Sequence, residues 1–345
     1  MAGLSLRGLL LLLFSGLLAA PAPAQAPDPP QAYLIRGAFA DGRLWLLTES
    51  GTLLSVAEDS QATVPETLPE PVLDLCRSGG AIVILTGQRG GGRAWTVRRR
   101  AGGAWRIAGQ ASRRGDRLIA MDCRDGLVTL LTSKRIVEMR RGGPHDVALA
   151  DDLPHARVNT ALFGTPRHLY LGLNSGEWGG GLRRIDRRNG AIVTIERSTP
   201  EDRCRGGPLN SACDPVHAIA AEPWRPECVI VAIGLVHFMS HGRLVEVCGE
   251  RVEALYSSEI SDADFAGSST AFFGLARVGD SLRAVGIDGV YRLSAGGAVE
   301  RTPFPHWRRI GDVALSFDLP DVVLVVTQVN RRASVSGGAP MIVPR

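Results

Sequence analysis

The sequence predicts an all-β chain, a seven-bladed β-propeller of four-stranded antiparallel blades, from three observations. First, one phrase returns seven times: an apolar segment, a Gly/Asp/Pro turn, then a strongly apolar run. Second, the residues that follow those runs are Thr48, Thr86, Thr132, Asn174, Gly234, Gly286 and Thr327, and they stand 38, 46, 42, 60, 52 and 41 apart. Four-stranded blades repeat over that range. Third, the apolar segments are short, continuous or period-two, and bounded by Gly, Asp or Pro, which favours strands over helices.

The chain opens with MAGLSLRGLLLLLFSGLLAAPAPAQA, one early positive charge at Arg7 and then an apolar run from Leu9 to Ala20. That run is shorter than the ~20 residues of a spanning helix, so residues 1–24 read as a secretory signal ending at Ala22-Pro23-Ala24. An uncleaved membrane anchor is the rival reading. Residues 25–31 are a Pro/Ala-rich leader, and residues 32–345 form a single propeller domain. No later run reaches membrane-spanning length, so the mature chain is expected to be periplasmic or secreted without a membrane span.

The predicted innermost strands are 33–39, 72–76, 118–123, 158–163, 217–221, 271–276 and 313–317. Several carry small residues, as in Arg36-Gly37-Ala38, which suits strands crowded around an axis. The second strands are 44–47, 82–85, 127–131, 169–173, 229–233, 282–285 and 322–326. After Val326 only 333–336 and 341–343 remain for outer strands, so the last blade is either thin or borrows a strand from elsewhere. Six blades plus an irregular remainder is the alternative partition.

Residues 168–196 show the pattern best. Runs 168–173, 181–186 and 191–195 are separated by a Gly-rich excursion and by Arg-Arg-Asn-Gly, whose Asn-Gly supplies the positive φ angles of a tight hairpin. The phrase Gly-Leu-Arg-Arg-Ile-Asp-Arg-Arg-Asn-Gly-Ala-Ile-Val, from Gly181 to Val193, resembles the outer hairpin of secreted bacterial β-propeller repeat proteins. Residues 289–297 and 51–56 are fainter copies. The phrase is similar to quinoprotein-like, regulator-sensor and lactonase-like propellers alike. The resemblance therefore implies a fold and selects no chemistry.

Loops joining second to third strands share a face with those joining one blade to the next. Expansions on that face are 88–93, 174–180, 197–214 and 257–269, and loops of such length are uncommon unless they bind something or are disordered. In the stretch 174–180, Trp178 offers a flat apolar surface, and Asn174 and Glu177 can orient polar groups of a partner. The three glycines there are expected to let the backbone bend around that partner. His217, beside Asp214, is a candidate at the channel mouth, with a satisfied structural histidine as the bland alternative. Asp214, Glu259, Asp262 and Asp264 are hard oxygen ligands suited to Ca2+, without the spacing of a calcium-loop motif.

The six cysteines suit an exported chain. Cys204 and Cys213 close one long loop, with Cys248 as the rival partner of Cys213. Cys76 and Cys123 hold equivalent places in neighbouring inner strands. Cys228 and Cys248, left to each other, are expected at opposite ends of their blade. A formal charge of +4 with scattered arginines, Arg98-Arg99-Arg100 among them, lacks the concentrated basic field of a nucleic-acid surface. His237 and His241 fall on a hairpin, and neither a metalloprotease, a nucleophile-elbow nor a phosphate-loop motif is present. The expected function is a binding or scaffold module for a protein, sugar-like or small-molecule ligand. The alternative is a divalent-metal-dependent lactonase or esterase acting at the channel mouth, with an acid or His217 as base.

Overall fold

The computed structural model describes residues 34–57, 62–89, 92–153, 160–198, 207–237, 239–260, 268–303, 313–316, 322–331, 334–337 and 341–344, with side chains described up to residue 303. Six antiparallel meanders follow one another along the chain. The first holds β1 (Leu34–Ala40), β2 (Arg43–Thr48), β3 (Leu53–Ala57) and β4 (Val64–Pro65). The second holds β5 (Val72–Ser78), β6 (Ala81–Thr86), β7 (Ala94–Ala101) and β8 (Ala104–Ser112). In the third are β9 (Leu118–Asp122), β10 (Val128–Thr132), β11 (Arg135–Arg140) and β12 (Gly143–Ala148). The fourth comprises β13 (Ala161–Gly164), β14 (His168–Asn174), β15 (Gly180–Asp186) and β16 (Ile192–Ile195). The fifth comprises β17 (Val216–Ala221), β18 (Val229–His237), β19 (Met239–Cys248) and β20 (Arg251–Tyr256), and the sixth β21 (Phe272–Val278), β22 (Ser281–Gly286), β23 (Gly289–Leu293) and β24 (Val299–Pro303). The first strands β1, β5, β9, β13, β17 and β21 lie beside one another in that order. This is a β-propeller.

The C-terminal strands break the meander. β25 (Val313–Ser316) pairs with β26 (Val322–Arg331) along one edge. The other edge of β26 takes both β27 (Ser334–Gly337), opposite Gln328–Arg331, and β28 (Met341–Pro344), opposite Val322–Val325. Those two short strands share one edge end to end, so the sheet is three strands deep. β26 is ten residues long, which gives both of them room. The expectation of seven blades is corrected to the alternative partition: six regular blades are completed by an irregular C-terminal sheet, whose β25 lies beside both β21 and β1.

Adjacent blades pack face to face because alternate residues of each strand point to opposite faces. Trp45, Leu47 and Leu53 of the first blade meet Val72, Ile82 and Ile84 of the second. Leu182 and Ile195 of the fourth meet Val229, Val231 and Val245 of the fifth. Of the Arg98-Arg99-Arg100 triplet, two side chains brace their own blade and one reaches the neighbouring blade. Arg98 Nε donates to Thr86 Oγ1, Arg99 Nη2 donates to the Ser78 carbonyl, and Arg100 lies 5.0 Å from the centre of the Trp45 ring.

Disulfides tie the strands further. Cys76 on β5 is bonded to Cys123, just after β9, with α-carbons 6.0 Å apart. Cys228 is bonded to Cys248 with α-carbons 4.4 Å apart, which corrects their expected separation. The β18–β19 hairpin pairs Val229 with Val247. One residue further along that register, Cys228 stands opposite Cys248. Cys213 is disulfide-bonded; Cys204, its expected partner, lies outside the described residues.

Candidate functional site

β14 ends at Asn174, whose Oδ1 accepts from the Gly176 N–H at 2.9 Å and turns the chain into a 3-10 turn, Gly176–Trp178. The chain then returns through Gly179, Gly180 and Gly181, all with positive φ. A Cβ on Gly179 would stand 2.3 Å from the Ala212 carbonyl carbon. The N–H groups of Gly180 and Gly181 donate to the carbonyls of Ser211 and Asp214, each at 2.9 Å. The backbone that these glycines let approach is therefore the chain's own, the turn 210–214, and not that of a partner.

Closing the loop this way turns Trp178 outward, 73% exposed. Beside it, Glu177 Oε2 lies 2.6 Å from Nδ1 of His237, at the end of β18. That contact joins the hairpin tips of the fourth and fifth blades. Met239 follows at the start of β19 and is 57% exposed. The sequence put His237 on a hairpin without assigning it to the site and did not single out Met239, because their place at the tip follows from the register of the β18–β19 hairpin.

His217 is half-buried on β17. Its Nε2 lies 2.6 Å from the Gly234 carbonyl, Asn174 Nδ2 is 3.4 Å from the ring nitrogens, and Phe273 packs edge-on at 5.1 Å. Nε2 is thus the donor to Gly234, and the Asn174 amide lies equally near both ring nitrogens. Burial holds its pKa down at about 4, against a smaller upward pull from the Gly234 hydrogen bond, so the ring is neutral at neutral pH. Held on both sides, it is built as a structural group.

Asp214 is fully buried. Its Oδ2 accepts from Arg243 Nη2 and from the Asn210 N–H, both at 2.6 Å, and His241 Nε2 lies 3.8 Å from its Oδ1. It anchors the 210–214 turn to β19. Glu259 is exposed beside an isolated bridge to Ser269; Asp262 and Asp264 lie outside the described residues. Asp214 and Glu259 belong to no group of metal-ligating side chains among the described residues. At the inner strands, Arg36 on β1 donates to Asp74 on β5 at 3.2 Å and to the Thr160 carbonyl, just before β13, at 3.4 Å. A guanidinium bridges the strands there.

No protein-family model and no curated protein sequence matches the chain. Solved structures do match it. YCF48 from Cyanidioschyzon merolae is 11% identical with a TM-score of 0.52, over 92% of this chain and 97% of that one. YCF48 bound to D1 peptide is 13% identical with a TM-score of 0.54, over 92% and 93% of the two chains. A chain of the mitotic checkpoint complex is 14% identical with a TM-score of 0.54, over 93% and 96%. The likeness is one of fold.

A second cluster lies on the opposite face, where neither the cysteine spacing nor the loop lengths pointed. Glu222, just after β17, and Glu246 on β19 are both buried beside Cys228 and Cys248. Arg225 Nη2 and Arg251 Nη2 lie 2.8 and 2.7 Å from the Glu246 carboxylate. Burial and, next, the adjacent Glu246 charge push the Glu222 carboxyl up to about 7. The hairpin register that aligns the two cysteines also brings in Glu246, two residues before Cys248.

No described helix is long and apolar enough to cross a membrane.

Proposed function

We propose that the chain is an exported propeller that binds a protein or peptide partner on the face built by the loops of the fourth and fifth blades. The carrying observation is Trp178, an aromatic that the loop geometry holds 73% exposed beside the 57% exposed Met239. Large aromatics set in a rigid frame are the usual anchors of protein interfaces. The ring supplies that frame, since the glycines dock the Trp178 loop onto the 210–214 turn and Glu177 meets His237 on the neighbouring hairpin. In this reading Trp178 and Met239 cover apolar groups of the partner, and Glu177 and His237 supply polar contacts at the edge. Asn174 and Asp214 shape the loops from within. Two of the similar folds are YCF48 bound to D1 peptide and a chain of the mitotic checkpoint complex, so the architecture accommodates such a role. Export rests on the apolar run Leu9–Ala20 and on the disulfides.

The test is selection of a random peptide display library on the purified chain, followed by affinities for Trp178→Ala and Met239→Ala. Peptides chosen on the parent are expected to bind Trp178→Ala about 30-fold more weakly, the effect of losing ~2 kcal/mol. Equal binding to the parent and to both variants would place the interface elsewhere.

A further inference from the structure

The cluster on the opposite face has the composition of a metal site whose two sulfur ligands are locked together. One ligand atom each from Glu222, Glu246, Cys228 and Cys248 lies within 4.8 Å of all the others. Tetrahedral zinc with bonds of ~2.3 Å to sulfur and ~2.0–2.2 Å to oxygen places its ligands roughly 3.4–3.8 Å apart. To meet it the carboxylates close by little more than about an ångström, and the two sulfurs move apart once their bond is reduced.

A second observation points to a ligand. Glu222 is 0% exposed, and neither of its carboxylate oxygens accepts from a protein donor; its neighbour is the Glu246 carboxyl. Arg225 Nε is 3.3 Å from its Oε1, an ion-pair contact without hydrogen-bond geometry. Two carboxyls buried side by side repel unless a positive charge lies between them, and a cation seated among the four groups would supply it. Glu246 differs, with both oxygens held by Arg225 and Arg251. Each oxygen keeps a further lone pair, so these arginines would orient it as a ligand in the way outer partners do at known metal sites. Arg251 Nη2 also lies 3.6 Å from Cys248 Sγ, where its charge favours a thiolate.

We infer that Cys228, Cys248, Glu222 and Glu246 form a redox-gated zinc site, closed while the Cys228–Cys248 disulfide stands and opened by its reduction. Cys228 is buried and Cys248 half-buried, so a dithiol reductant reaches Cys248 first. Its thiolate attacks Cys248 Sγ, and the electron pair of the S–S bond leaves on Cys228 Sγ, which takes up a proton. The second thiol of the reductant then displaces Cys248 and closes the reductant's own disulfide. The exchange moves two electrons and yields two protein thiols. Zn2+ replaces one proton on each of them. Two thiolates, two carboxylates, one Zn2+ and the two arginines then sum to zero charge, which a buried site requires.

The test uses the full chain, reduced with dithiothreitol, desalted without oxygen and titrated with Co2+ as a spectroscopic stand-in for zinc. The expected result is a thiolate-to-cobalt charge-transfer band that saturates at one metal per chain and is displaced by Zn2+. The oxidised chain should show none. Glu222→Gln keeps every cysteine and should weaken Co2+ binding at least tenfold, and Cys228→Ser/Cys248→Ser should abolish the band. The inference is overturned by Glu222→Gln titrating like the parent or by a band that survives the double cysteine substitution.

Discussion

Two tryptophans show how position decides the role of a side chain. Trp45 is fully buried, with its Nε1–H donated to the Ala40 carbonyl at 2.9 Å, whereas Trp178 is mostly exposed. Trp45→Ala is expected to cost about 3–5 kcal/mol of stability, while Trp178→Ala should stay within about 0.5 kcal/mol of the parent. Chemical denaturation of the two variants checks both figures. Two titrating groups pull stability in opposite directions. His217 has a folded pKa of about 4, below its usual 6.5, so the unfolded chain binds its proton more tightly. Its contribution is full above pH 6.5 and is lost as pH falls towards 4. Glu222 has a folded pKa of about 7, above its usual 4.5, so the folded chain holds that proton. Its contribution is full below pH 4.5 and is lost as pH rises through 7. Between about pH 4.5 and 6.5 the two slopes oppose each other. Glu222→Gln removes one of them, so its melting temperature should rise with pH across that window more steeply than the parent's. Above pH 7 the variant should be the more stable by about 1–3 kcal/mol. His217→Gln should show the opposite slope in the same melts.

At the scale of the element, the loop 174–181 depends on backbone that only glycine supplies. Gly179 has φ +73°, and its Cβ position is filled by the Ala212 carbonyl. Gly179→Ala is therefore expected to cost at least about 1 kcal/mol. It should also release the Gly180 N–H from the Ser211 carbonyl, which amide hydrogen exchange reads directly as lost protection. Much of this architecture was legible in the residues. The runs 44–47, 82–85 and 169–173 lie within β2, β6 and β14, because continuous apolar runs flanked by turn residues are read from local pattern. The partners of those elements were harder to read. A Gly-rich loop looks the same in sequence whether it wraps a ligand or its own neighbour, and only Ala212 behind Gly179 tells them apart. The Cys228–Cys248 pair was reached only as the remainder and expected at opposite ends of its blade for a related reason. The apolar run 229–233 marks only half of a nine-residue strand, which leaves the hairpin tip, and with it every cross-strand pair, undetermined by local pattern. Glu177 and His237, or Glu222 and Glu246, are distant in the chain and meet only once that register is set.

At the scale of the whole molecule, the question is how a ring of sheets ends without leaving an edge. The six meanders each lay one blade face on the next, and β25 stands between β21 and β1. The strand beyond it, β26, begins Val-Val-Leu-Val-Val, a sequence that as a free edge would recruit another chain. β28 covers Val322–Val325 of that edge and β27 covers Gln328–Arg331. The short Ser334–Gly337 and Met341–Pro344 segments thus do by end-to-end pairing what an ordinary blade does with two full outer strands. Removing residues 338–345 takes away β28 and bares the most apolar part of β26, while β25, β26 and β27 keep their sequence. The truncated chain is expected to melt at a lower temperature and to form larger species with rising concentration in sedimentation velocity, relative to the full chain. Adding Val323→Lys to the truncation should reverse the association without restoring the melt, since an edge lysine blocks strand pairing but replaces no lost strand. If the truncated chain instead sedimented and melted like the full one, β28 would contribute nothing to closure, and the contact of β25 with β1 would have to hold the ring by itself.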